Sequence, residues 1–90
     1  PFRVMETVLR VMPLIKLMAE QGQPSSVSDA GVGALCARAA IMGAYLNVQI
    51  NASSLKGNAE AAELVAKGAG MAARAQQLED ETLAVVRGKL

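Results

Sequence analysis

The fold of this chain is decided by residues 27–52, which read VSDAGVGALCARAAIMGAYLNVQINA. Between Ala30 and Ile50 the strongly polar residues are Arg38, Asn47 and Gln49. A helix of that length rises about 30 Å, enough to cross a bilayer core. Arg38 at its centre would cost roughly 2.5–3.5 kcal/mol in lipid, and no basic cluster or aromatic belt flanks the segment. We therefore favour a central helix surrounded by other helices, with a membrane helix as the alternative.

The flanking segments have helical periodicity, and we predict three helices at about 2–20, 27–52 and 58–87, with the second the most buried. In the first, Val4, Val8, Val11, Ile15 and Met18 form one stripe, and Pro13 predicts a kink. The third has an apolar stripe and a polar side that we expect to be solvated: Glu60, Glu63, Lys67, Arg74, Glu79, Asp80 and Glu81. The predicted fold is an all-α helical bundle that forms half of a larger bundle.

Two connectors separate the predicted helices, QGQPSS at 21–26 and SSLKGN at 53–58. Gly22 is a candidate helix stop, and Pro24 opposes simple continuation. Ser26, with Asp29 three residues later, is typical of a helix N-terminus. In the second connector, Gly57 and Asn58 are the expected turn and cap residues.

The composition excludes several classes of site. The chain has 90 residues, one cysteine and no histidine, so it holds no internal disulfide and no ordinary zinc or haem site. A net charge of +1 and 2% aromatic residues argue against nucleic acid as a partner. A hydrophobic content of 52% in so short a chain indicates burial against something outside it. Because the chain opens at Pro1 with a helical pattern already running, we expect the C-terminal portion of a longer polypeptide.

Few motifs in the sequence indicate a binding or catalytic site. The run Gly31-Val32-Gly33-Ala34-Leu35-Cys36 resembles a dinucleotide fingerprint, but no strand precedes it and the third glycine is absent. Cys36 has no histidine to activate it, and we expect a buried structural thiol.

Polar residues on the central helix are the candidate site. Ser28 and Asp29 stand near its start, where capping is the simpler interpretation, while Asn47 and Asn51 share one helix face. Asp29 and Asn47 are about 27 Å apart along one helix, so a single ligand would not touch both. Arg38 and Tyr45, seven residues apart on the opposite face, could each pair with a carboxylate or phosphate.

Two blocks together resemble the cyclodeaminase/cyclohydrolase domain of the formiminotransferase-cyclodeaminase family. The first is Gln23-Pro24-Ser25-Ser26-Val27-Ser28-Asp29-Ala30-Gly31-Val32, and the second is Gly43-Ala44-Tyr45-Leu46-Asn47-Val48-Gln49-Ile50-Asn51, with Ala39-Ala40 between them. The family's own pattern has asparagine at the positions of Gln23 and Ser25. The resemblance is dense over 23–51 and compositional after 58, and it places 1–90 as the C-terminal portion of a single all-α domain.

The resemblance implies a folate-dependent one-carbon enzyme in the cytoplasm that takes part in histidine degradation. The reaction it implies is conversion of 5-formiminotetrahydrofolate to 5,10-methenyltetrahydrofolate with ammonia release; the alternative is methenyltetrahydrofolate cyclohydrolase activity. The acid/base residue is expected upstream, so no catalytic residue is assigned here. Ser28, Asp29, Asn47 and Asn51 are assigned to substrate binding or its support, with a tetrahydrofolate substrate and no metal. The implied partners are the missing N-terminal half and further copies in a homo-oligomer, with neither nucleic acid nor membrane.

A non-enzymatic helical interaction module, in which the asparagines only specify helix packing, and a small membrane-embedded hairpin remain as competing interpretations.

Overall fold

The structure is a computed structural model that describes residues 1–23 and 25–90. It consists of three α-helices, α1 (Phe2–Gln21), α2 (Pro24–Ser53) and α3 (Ala59–Lys89). The helices run up, down and up, and each packs against the other two. They form a rod of 50 × 16 × 14 Å. The predicted all-α fold with three helices is confirmed.

The first helix is continuous through Pro13. Pro13 is exposed, so its ring projects away from the core side of α1. The kink predicted at Pro13 stays a prediction, and Met12, the residue before it, is buried. The proline removes one backbone donor without ending the helix.

The two connectors are largely as predicted, with one correction. Gly22 is the C-cap of α1, and its N–H donates to the carbonyl of Met18 at 2.7 Å. The expected helix start at Ser26 is wrong, because α2 begins earlier and the Ser26 N–H already donates to the carbonyl of Gln23 at 2.8 Å. The prediction that Pro24 opposes continuation lies outside the described residues.

The second connector turns at Gly57, whose φ of 85° lies in the left-handed region that glycine tolerates. Asn58 is the N-cap of α3, and its side chain accepts a hydrogen bond from the Ala61 N–H at 3.0 Å. Both predicted roles are confirmed. The tight turn brings α3 back along α2.

The core consists of two clusters along the rod. The larger is built on Met5, Met12, Ile41 and Leu78, which come from all three helices. The smaller joins Ala19, Val27, Ala30 and Val86 near the other end. Methionine fills irregular gaps between helices, which suits a core with so few aromatic rings.

Close approach between α2 and α3 depends on one glycine. A Cβ added to Gly68 would lie 2.7 Å from Cδ1 of Tyr45, which is closer than van der Waals contact. The absence of a side chain at Gly68 therefore makes the space that the ring of Tyr45 occupies. This is why a residue that weakens an isolated helix stands in the middle of α3.

Candidate functional site

The four predicted site residues all lie on α2 and do not converge. Ser28 and Asp29 are near its first turn, and Asn47 and Asn51 are near its last. Because α2 is uninterrupted, Asp29 and Asn47 remain about 27 Å apart along the axis. This chain alone therefore forms no single cleft that contains all four.

Ser28 and Asp29 do not cap the helix. The N-cap is Gln23, so both residues lie inside α2, where they are exposed. Among the residues that the structure describes, neither side chain forms a hydrogen bond within the chain. The capping interpretation of this pair is wrong, which leaves a carboxylate and a hydroxyl free to contact another molecule.

Asn47 and Asn51 are likewise exposed, and their side-chain amides have no partner within the described part of the chain. Asn51 lines a groove of about 280 Å³ at one end of the bundle, together with Phe2, Val48 and Leu64. This groove has an apolar floor and amide groups at its edge. A predicted site residue thus borders a concave surface here.

The α2–α3 contact holds a partly buried ion pair that periodicity alone did not predict. Nε of Arg38 donates to Oε2 of Glu79 at 2.5 Å, and Nε2 of Gln76 donates to Oε1 of Glu79 at 3.0 Å. The Glu79 side chain is 6% exposed, so the expectation that it is solvated is wrong. Its position explains this, because Glu79 lies four residues after Ala75 and three before Thr82, both fully buried. The available signal was Arg38, a charge in the middle of an apolar helix that needs a carboxylate.

A second ion pair joins α1 to α3. Nζ of Lys16 donates to Oε1 of Glu81 at 2.8 Å, with both side chains about one-third exposed. The hydrogen bond from Lys16 lowers the pKa of Glu81 below its ordinary value of 4.5. The same hydrogen bond raises the pKa of Lys16 above 10.5. This pair links α1 to α3 at the surface of the bundle.

Cys36 is exposed, so the prediction of a buried thiol is wrong. It lies on the side of α2 that neither neighbouring helix covers. The chain contains no histidine that could activate it. Among the described residues no group of three or more histidine, cysteine or acidic side chains is placed to hold a metal ion.

A groove of about 700 Å³ lies between α1 and α3 and contains none of the predicted site residues. Phe2, Leu9 and Met71 form part of its lining, and Arg10 and Arg74 lie at its edge. It is a wide surface depression rather than an enclosed pocket, and we assign no chemistry to it.

An apolar surface extends over one side of α1 and α2, and we call it the open face. It comprises Val4, Val11, Leu14 and Met18 of α1 with Val32, Cys36, Ala39, Gly43, Leu46 and Ile50 of α2. Its large side chains are 45–65% exposed. Among the described residues, α2 and α3 bury nearly equal shares of their residues, and both bury a larger share than α1. The prediction that α2 is the most buried helix therefore stays a prediction.

The length and composition of α2 would also allow it to cross a membrane. An 18-residue window within the span Ser25–Ser53 has a mean hydropathy of 1.3, and this span is the single candidate in the described residues. One such helix is weak evidence, since core helices of soluble proteins meet the same criterion.

These features define a class of protein: an all-α helical unit with an exposed apolar surface and with polar residues on its central helix. Residues 1–70 match the family described as Formiminotransferase-cyclodeaminase. The chain is also 36% identical over 80 residues to a methenyltetrahydrofolate cyclohydrolase of Methylorubrum extorquens. No solved structure matches it.

The chain belongs to the formiminotransferase-cyclodeaminase family, as the resemblance predicted. The match to the cyclohydrolase covers 89% of this chain and 38% of that relative. The chain thus spans well under half the length of the relative it matches.

Proposed function

We infer that this chain forms part of an enzyme that acts on a one-carbon derivative of tetrahydrofolate. The observation that carries this inference is the family match together with 36% identity to a methenyltetrahydrofolate cyclohydrolase over nearly the whole chain. The candidate residues support it in kind, because they offer a carboxylate, a hydroxyl and two amides. Such groups bind and orient a polar heterocycle beside apolar surface.

Two reactions are candidates, and 5,10-methenyltetrahydrofolate takes part in both. In the cyclodeaminase reaction, N10 attacks the formimino carbon on N5, and the carbon–nitrogen bond to the departing amine breaks with release of ammonia. In the cyclohydrolase reaction, water attacks the methenyl carbon, its bond to N5 breaks, and 10-formyltetrahydrofolate and a proton are formed. The family description favours the first and the relative's name favours the second.

Each reaction needs a group that transfers a proton and groups that hold the pterin in place. We assign Ser28, Asp29, Asn47 and Asn51 to binding the folate or supporting that contact. Since the two ends of α2 are about 27 Å apart, the two pairs serve different parts of a site or different sites. The general acid/base belongs to protein outside these 90 residues, and no catalytic residue is assigned within them.

The proposal also covers the cellular location, the pathway and the oligomeric state of the enzyme. We place it in the cytoplasm, in histidine degradation if it is a deaminase, and as a homo-oligomer whose sites are completed by the rest of the family domain. The 90-residue chain alone should be catalytically silent, because it lacks the acid/base group.

The reaction is identified by offering both substrates to the chain assembled with the rest of the family domain. Ammonia release from 5-formiminotetrahydrofolate identifies a cyclodeaminase, and decay of the methenyl absorbance identifies a cyclohydrolase. Failure of the assembled protein to turn over either substrate, or turnover of either by the 90-residue chain alone at an ordinary enzymatic rate, contradicts the proposal.

The role of the amides is tested by the double variant N47L/N51L in the assembled protein. Each lost hydrogen bond to a buried partner costs about 1–3 kcal/mol, so we expect folate affinity or assembly to fall at least about tenfold. The matched control is Gln49→Leu, which removes an exposed amide from another side of the same helix. If N47L/N51L assembles and binds folate as Q49L does, the asparagines have no such role.

A further inference from the structure

The open face is continuous across two helices. A Cβ added to Gly33 of α2 would lie 3.8 Å from Cγ2 of Ile15 of α1, so these two residues mark the line where the helices meet. On α1, Val11 and Met18 are four residues before and three after Ile15, which makes them its neighbours on the helix surface. On α2, Cys36 stands three residues after Gly33. The two exposed stripes therefore lie on either side of one helix contact.

The spacing of the open face indicates what covers it. On α2 its members recur at alternating steps of four and three residues, from Val32 to Ile50. That spacing forms the ridges and grooves into which another helix packs. The small residues Ala39 and Gly43 at the middle of the stripe allow a neighbouring backbone to approach closely.

The residues that define the open face carry no charge, and exposed charged residues border it: Arg10 lies four residues before Leu14 on α1, and Asp29 lies three residues before Val32 on α2. Two other cations of these helices face α3 instead. Lys16 pairs with Glu81 and Arg38 pairs with Glu79, both on α3. A solvated helix would carry charge on this side, as α3 does. An uncharged face of this width is typical of an interface in a stable assembly.

We propose that the open face is covered by helices from the part of the family domain that has no counterpart in this chain. The chain corresponds to 38% of the Methylorubrum cyclohydrolase, so more than half of that protein is left to supply the covering layer. The exposed apolar side chains of α2 need further neighbours, because α1 and α3 occupy only part of its circumference. This proposal concerns assembly and does not depend on which reaction the enzyme catalyses.

The test is to coexpress the 90-residue chain with the unmatched part of the Methylorubrum cyclohydrolase and to measure complex formation by size-exclusion chromatography with light scattering. Two variants carry the same substitution on exposed mid-helix alanines: Ala39→Lys on the open face and Ala73→Lys on α3. We expect the unmodified chain and A73K to form a 1:1 complex, and A39K to bind at least about 100-fold more weakly, because burying an unpaired ammonium is costly.

Cys36 provides a second measurement that needs no substitution. It is the single cysteine of the chain and lies in the open face, so its alkylation rate, followed by mass spectrometry of its peptide, reports coverage. We expect alkylation to slow at least about tenfold in the complex. The proposal is overturned if no complex forms, if A39K and A73K bind equally well, or if Cys36 stays fully reactive in the complex. It is also overturned if the chain alone forms a discrete dimer that A39K dissociates, since the covering partner is then a second copy.

Discussion

Helices α2 and α3 are almost equal in length, at 30 and 31 residues, yet their exposed sides have opposite chemistry. On α3 the exposed side carries Glu60, Glu63, Lys67 and Arg74. On α2 it carries Val32, Leu46 and Ile50, each more than half exposed. Water hydrates the charged side chains of α3, whereas the exposed apolar side chains of α2 would be removed from water only by contact with further protein. The difference shows that two helices can bury similar fractions of their residues inside this chain and still differ in whether their exposed surfaces are suited to water.

The largest expected change in the free energy of unfolding is at the ion pair between α2 and α3. Arg38→Met should destabilise the bundle by about 3 kcal/mol, because it leaves the carboxylate of Glu79 buried without its cation. Glu79→Gln should cost less, since Arg38 is about one-third exposed and can be hydrated. Urea unfolding measures both.

The control for that pair is Lys67→Met, which removes the exposed Lys67–Glu63 pair on α3, at 3.5 Å. It should change the free energy of unfolding by well under about 1 kcal/mol. If R38M is as mild as K67M, the Arg38–Glu79 pair does not hold α2 to α3.

A smaller effect is expected at two glycines of α3. Gly68→Ala should destabilise by about 1–3 kcal/mol, because the new methyl group would overlap the ring of Tyr45. Gly70 has no atom within 4 Å of an added Cβ, so Gly70→Ala should stabilise by up to about 1 kcal/mol through helix propensity. Thermal unfolding of the two variants should shift in opposite directions, and shifts of the same sign would contradict the close contact at Tyr45.

The smallest effect is the pH dependence from Lys16 and Glu81, which join α1 to α3. Because the hydrogen bond lowers the pKa of Glu81, its contribution is present above pH 4.5 and is lost as the pH falls through the lowered value. Because the same bond raises the pKa of Lys16, its contribution is complete below pH 10.5 and is lost as the pH rises through the raised value. Unfolding measured against pH should be less pH-dependent at both extremes in Lys16→Met than in the unmodified chain. An unchanged profile would show that this contact contributes nothing.

Much of the candidate site was accessible from the sequence, but its arrangement was not. The two blocks that resemble the family led to the assignment of Ser28, Asp29, Asn47 and Asn51, which stays a prediction. They also predicted the family itself, which the comparison confirms. Their separation along α2 followed from helix geometry alone. What the sequence could not supply was the partner for Arg38, because Glu79 is 41 residues away and adjoins charged neighbours typical of a solvated face.

Local periodicity and turn chemistry determined the three helices, Gly22 as the end of the first, and Gly57 with Asn58 between the second and third, since these depend on residues close in sequence. Only the tertiary structure decided which sides of the helices are covered. An apolar pattern that surrounds α2 completely does not specify a side, so Cys36 could be placed outside and Val48 inside only once α1 and α3 were docked. The same holds for Gly68, whose missing side chain is explained by a ring that reaches it from another helix. Burial is a property of the packed assembly, and α2 presents to solvent a surface whose composition is that of an interior.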